Sequence, residues 1–128
     1  MPKPGRLALS LCALLCLALR LAASPSGCTI HPKKGASKAQ LSALSKVSEA
    51  DARKAALAFL GNPSGAAVEE TELEAEHGCL VWSFDIRLQG KAGVQEIQVD
   101  AGDGRILSSA HESPKAEADE KARDRAKP

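Results

Sequence analysis

Between Leu80 and Leu88 the side chains alternate: Leu80, Trp82, Phe84, Ile86 and Leu88 share one side, and Val81, Ser83, Asp85 and Arg87 take the other. A period of two is that of a half-buried β-strand; a helix over the same residues would scatter the apolar groups around its circumference. One such strand cannot stand alone. It needs further strands beside it and a layer over its apolar face. The chain has only three aromatic residues, Phe59, Trp82 and Phe84, with no Tyr. Two of the three lie in this strand, so the core is expected around them.

The flanking segments supply the rest of the sheet. Thr71, Leu73 and Ala75 alternate with Glu70, Glu72, Glu74 and Glu76, a strand with an acidic outer row, and His77-Gly78 turns the chain. Residues 89–93 form a second turn, 95–99 return, and Asp100-Ala101-Gly102-Asp103-Gly104 turns tightly before Arg105-Ile106-Leu107-Ser108. Connections this short favour an antiparallel meander. The covering layer is a helix. Ser48 and Asp51 form a capping-box-like pair, with Asp in place of Glu or Gln, and Val47 with Ala52 form a hydrophobic staple. Ala52, Ala55, Ala56, Phe59 and Leu60 then fall on one stripe, and Gly61 with Asn62-Pro63 stops the helix. The expected fold is α+β: one amphipathic helix packed on a three- to four-stranded antiparallel β-meander over residues 47–110. Its core is expected at Phe59, Trp82, Phe84, Ile86, Ile97 and Val99.

The N-terminus has a different character. Lys3 and Arg6 precede an apolar run from Leu7 to Leu19 broken only by Ser10, and small residues follow at Ala22, Ala23 and Ser24. A basic start, a short apolar run and a small-residue exit describe a secretory signal peptide, expected over residues 1–26. The run is too short for a membrane-spanning helix, and Arg20 interrupts it. Cleavage after Ser24 leaves an unfavourable Pro25, and cleavage after Ser26 is better placed. Pro25-Ser26-Gly27-Cys28 also resembles a lipobox, which would make Cys28 a lipidation site and tether the protein to a membrane. Cys12 and Cys16 leave with the signal, whereas Cys28 and Cys79 remain in an oxidising compartment, where a disulfide between them is the other fate open to Cys28.

Residues 27–46 read as a linker with a short helix, Ser37 its N-cap and Leu41 and Leu44 on one side. Residues 111–128 mix acids and bases with no apolar residue larger than Ala. They read as a charged, disordered tail on which Glu117, Lys121 and Arg125 are spaced for i,i+4 pairing.

Several classes of function are excluded. With 17 basic and 16 acidic groups, the chain has no global charge to attract nucleic acid or anionic lipid. Few aromatics leave no stacking platform for single strands. His31, His77 and His111 stand beside no evident nucleophile, and Gly61-Asn62-Pro63-Ser64-Gly65 has its serine one place too late for a nucleophile elbow. His77-Gly78-Cys79, even with His31 and Cys28, falls short of a closed metal site. The Asp100–Gly104 turn lacks the ligands of a calcium loop. No catalytic residue, metal or cofactor is expected. The most concentrated charge is the row Glu70, Glu72, Glu74 and Glu76, either a solvated sheet face or the surface that meets a basic partner.

Four segments in order, Val47–Ala52, Val68–Glu74, Leu80–Ile86 and Glu96–Leu107, resemble the PepSY domain family. The last segment is the most telling: a strand ending in Val99-Asp100, a Gly-containing turn, then Arg105, Ile106 and Leu107. The similarity spans about residues 45–110. It departs from the usual pattern at Gln95-Glu96-Ile97, where an aromatic is common, and at Cys79. The resemblance implies a non-enzymatic module of the kind found in metalloprotease propeptides and in small exported bacterial proteins. It implies a protein partner at the cell envelope, a metalloprotease or another envelope protein, inhibited or assisted in trans from a periplasmic or extracellular location. The competing expectation is an envelope structural or small-ligand-binding module unrelated to proteases.

Overall fold

Residues 27–127 are described by a computed structural model. The signal-peptide expectation, residues 1–26, lies outside the described residues. Seven elements follow one another: α1 (Lys38–Leu44), α2 (Glu49–Phe59), β1 (Ala67–Glu76), β2 (Cys79–Arg87), β3 (Val94–Asp100), β4 (Ile106–Glu112) and α3 (Pro114–Arg125). The strands form one sheet in the order β1-β2-β3-β4, every neighbour antiparallel. This is the expected α+β meander with all four strands formed and three helices around it.

Turn chemistry fixes the register. His77 and Gly78 both adopt positive φ (49° and 79°) between the paired residues Glu76 and Cys79, the two-residue turn that matches strand twist. At the β2–β3 turn Gly93 has φ 77°, and a Cβ there would overlap the backbone of Glu112; only glycine lets β4 end so close. Bulges between Val68 and Glu70 and between Gln98 and Val99 bend the outer pairs.

α2 starts where Ser48 accepts from the Asp51 N–H at 3.1 Å, without the reciprocal bond of a full capping box. That full box occurs instead at α1, between Ser37 and Gln40. α2 ends in a Schellman motif: Asn62 N–H donates to Leu57 O and Gly61 N–H to Ala58 O. Its buried face runs through Ala52 and Ala56 onto Phe84, Ile86, Ile97 and Val99, all with no exposed surface. Small side chains let the helix approach the sheet closely.

Phe59 departs from the expected core. It is 54 % exposed, because the buried stripe continues from Ala56 to Leu60 with Leu57 on its flank, turning Phe59, the last helical residue, outward. Trp82 is half-buried and joins the main cluster to a smaller one of Leu41, Leu80 and Ala101 beneath α1. Its indole N–H donates to Val47 O at 2.9 Å, tying the α2 entry to the sheet.

Residues 114–125 correct a second expectation. They form a helix rather than a disordered tail. Ser113 caps it, accepting from the Ala116 N–H, Pro114 starts it, and the Lys121–Glu117 and Lys115–Asp119 pairs lace it. None of its residues is fully buried, but Glu117 keeps only 12 % of its side chain exposed against the sheet.

Candidate interaction surface

Alternation places Glu70, Glu72, Glu74 and Glu76 on the face of β1 opposite Thr71 and Leu73. The register continues this acidic face across the sheet: Glu70 pairs with Asp85, and Asp85 with Glu96. Glu112, on the same face, ends β4 opposite Val94. α3 crosses this face and leaves a groove of about 1270 Å³ between helix and sheet, walled by Glu72, Glu74, Asp85 and Glu96 on one side and Lys121 and Arg125 on the other.

Crowding marks the chemistry of this groove. Burial, then the neighbouring Glu72 and Glu76, push Glu74 up to about 7. Burial, then Glu70 and Glu96, push Asp85 up to about 6. Glu96 is also raised, first by burial. Carboxyls held this way bind a proton or a cation more readily than ordinary surface acids. The rim is different. Arg87 forms a two-pronged pair with Glu69, donates to Gly93 O at 3.0 Å, and reaches Glu117 of α3 at 3.4 Å. It thereby connects the β1 bulge, the β2–β3 turn and the last helix. The hydrogen bond from Arg87 holds Glu69 below the usual carboxylate range.

Sequence reasoning identified the β1 row and missed Asp85, Glu96, Glu112 and Glu120. The signal for two of them was present: in a hairpin register pairing Phe84 with Ile97, Asp85 and Glu96 must also stand opposite each other. Nothing local in the sequence brings Glu120 above them.

The cysteines meet elsewhere. Cys28 and Cys79 are joined, their Cα atoms 5.7 Å apart. A sulfur in that bond has no free valence for the thioether of a lipid anchor. It offers no thiolate either, so the nearby His31, whose Nδ1 lies 3.0 Å from Gly78 O, gains no soft metal partners. His77 is exposed beside Glu76 at 3.2 Å, and His111 is exposed on β4. The disulfide delivers Thr29 and Ile30 to the sheet end: Leu80 N–H donates to Ile30 O, and Thr29 donates to the buried Asp100. The Asp100–Gly104 turn is thus a structural joint, its carboxylate occupied by protein donors.

Among the described residues no helix is long and apolar enough to cross a membrane. No curated protein and no solved structure matches the chain significantly. The family model described as "Peptidase propeptide and YPEB domain", PepSY, matches residues 46–110, which include α2, β1 to β3, the turn built on Asp100 and most of β4. That match covers half of the chain, and the protein belongs to the PepSY family.

Proposed function

We propose that this protein is an exported PepSY module without catalytic activity that binds a protease or another envelope protein in trans and modulates it. PepSY domains are associated with peptidase propeptides and are generally non-catalytic, which supports the class. The observation that carries the binding surface is the continuous acidic face formed by Glu70, Glu72, Glu74, Glu76, Asp85 and Glu96. Such a face fits a basic surface, and charge complementarity there fixes partner choice and speeds encounter. β1 is also an edge strand of the sheet, and an edge strand can pair its backbone with a partner. A small apolar ligand fits poorly, since the groove on this face is walled by the charged groups Glu72, Glu74, Asp85 and Glu96 and by Lys121 and Arg125.

Export is supported by the basic start and apolar run at residues 3–19 and by the disulfide, a bond that persists in oxidising compartments. We assign Cys28 to that disulfide rather than to a lipid, which leaves the protein periplasmic or extracellular and untethered.

The test is crosslinked capture from native envelope extract, run in parallel with the exported protein and a Glu70→Lys/Glu72→Lys variant, both positions being exposed. A captured protease whose activity changes on addition of the protein, and which the variant fails to hold, supports the reading. Equal capture by both removes the acidic face from the interface. Absence of any protein partner, with the domain folded, turns the assignment to the structural or small-ligand module.

A further inference from the structure

α3 has no apolar residue larger than Ala and buries none of its residues. Hydrophobic burial therefore does not hold it on the sheet. Two polar clasps do. Glu117 lies 3.4 Å from Arg87 of β2 and 2.7 Å from Lys121. One turn later Glu120 joins Glu96 of β3 and Glu112 of β4, with one carboxyl oxygen from each within 4.8 Å of the others. Three ionised carboxylates at that spacing would push the helix away. Glu112 Oε2 is buried and has no hydrogen-bond partner. A protonated Glu112 resolves both problems, because it donates to Glu96 or Glu120 instead of repelling them.

We propose that α3 is a proton-held strap: a hydrogen shared from Glu112 with Glu96 and Glu120 clasps the helix over the acidic face, and loss of that proton lifts it and uncovers the face.

The groups around the clasp favour holding the proton. β1 contributes Glu74 and Glu76 with Glu70 and Glu72 beyond them, and β2 contributes Asp85. The opposing cations stand on α3 and past its end: Lys121 faces Glu70 and Asp85, and Lys127 faces Glu72 and Glu74. Asp124 and Arg125 line the groove beside them. Burial, then Glu120, raise Glu112 to about 7 from an ordinary 4.5. A group raised in the docked state favours docking fully below its ordinary value and loses that contribution as pH climbs through the raised one. The Arg87–Glu117–Lys121 clasp has the opposite sign. The hydrogen bond from Lys121 holds Glu117 below the usual range, so this clasp fails only in stronger acid. The strap is therefore closed in mild acid and opens above neutrality, whatever partner the face meets.

The experiment is ¹⁵N NMR on the protein recovered from an exporting host, following amide order in residues 114–125 at about pH 5.5 and about pH 8. The docked-to-free ratio of α3 is expected to fall at least about tenfold between them, after discounting for partial solvent exposure, while the sheet amides stay put. In Glu112→Gln the side-chain amide donates at every pH, so α3 should remain docked at the higher one. Glu120→Gln removes the charge that, after burial, does most to raise Glu112, so the fall in the docked-to-free ratio between the two pH values should shrink. Equal order or equal mobility of α3 at both pH values in the native sequence overturns the proposal. So does a fall in Glu120→Gln as large as that of the native sequence.

Discussion

Thr29 donates its backbone N–H, at 2.8 Å, and its hydroxyl to the two carboxylate oxygens of Asp100, 71 residues further along the chain. Gly102 and Asp103 donate their N–H groups to the same carboxylate at 2.7 and 3.2 Å. Burial pushes the Asp100 carboxyl up, but the hydrogen bonds from Thr29, Gly102 and Asp103 outweigh it and hold the group below its ordinary range. One side chain thus joins the β3–β4 turn to the segment that precedes α1.

Asp100→Ala leaves three backbone N–H groups without their acceptor and is expected to cost about 2–4 kcal/mol of stability. Urea denaturation at neutral pH measures it, and a loss below about 1 kcal/mol would mean the turn holds its shape unaided. The sign with pH also follows. A depressed carboxyl contributes stability above its ordinary value and loses it as pH falls through the depressed one, so the Asp100 contribution fades only in strong acid.

The Cys28–Cys79 bond closes a separation of 51 residues. For a loop of that size the chain-entropy argument gives about 4 kcal/mol, with measured values commonly about 2–4. Melting with and without reductant should differ accordingly, and Cys79→Ser should match the reduced protein. Intact mass of the exported protein provides an independent check. A loss of two hydrogens relative to the reduced chain is expected; a diacylglyceryl adduct would assign Cys28 to a membrane anchor instead.

Two aromatic substitutions separate the faces of the core. Trp82 packs against both apolar clusters and ties Val47 O through its indole, so Trp82→Ala is expected to cost roughly 3–5 kcal/mol. Phe59 is more than half exposed, and Phe59→Ala should cost less than about 1 kcal/mol. Comparable losses at both positions would mean that Phe59 is buried by a contact outside residues 27–127.

That contrast shows what a sequence carries and what it does not. Leu80 to Leu88 were legible because five apolar residues of one parity admit only a strand, and the His77-Gly78 and Asp100–Gly104 turns fixed its partners' positions. Phe59 was misplaced because stripe counting treats every turn of a helix alike. The buried line in fact runs from Ala52 through Ala56 to Leu60, leaving the final residue at the margin. The β1 acidic row was visible as local alternation. Its closure by α3 was not, since that helix carries no apolar signal and is held by Arg87, Glu96 and Glu112, groups that only tertiary structure brings beneath it.

The acidic face yields the last prediction. Burial, then Glu72 and Glu76, raise Glu74 to about 7, so Glu74 supports the fold fully below the ordinary carboxylate value and loses that support as pH rises through neutrality. Glu74→Gln removes the ionisation while keeping the shape. Near pH 8 the variant should be more stable than the native protein by about 1 kcal/mol, a figure discounted because the side chain is only part-buried. Near pH 4 the two should melt together, since Glu74 is then largely protonated in the folded and unfolded states alike. Thermal melts across that range decide it. A native protein whose stability is flat from mild acid to pH 8, with Glu74→Gln tracking it throughout, would show that the face carries its charge without strain. Divergence of the two curves near neutrality would locate the repulsion at this residue.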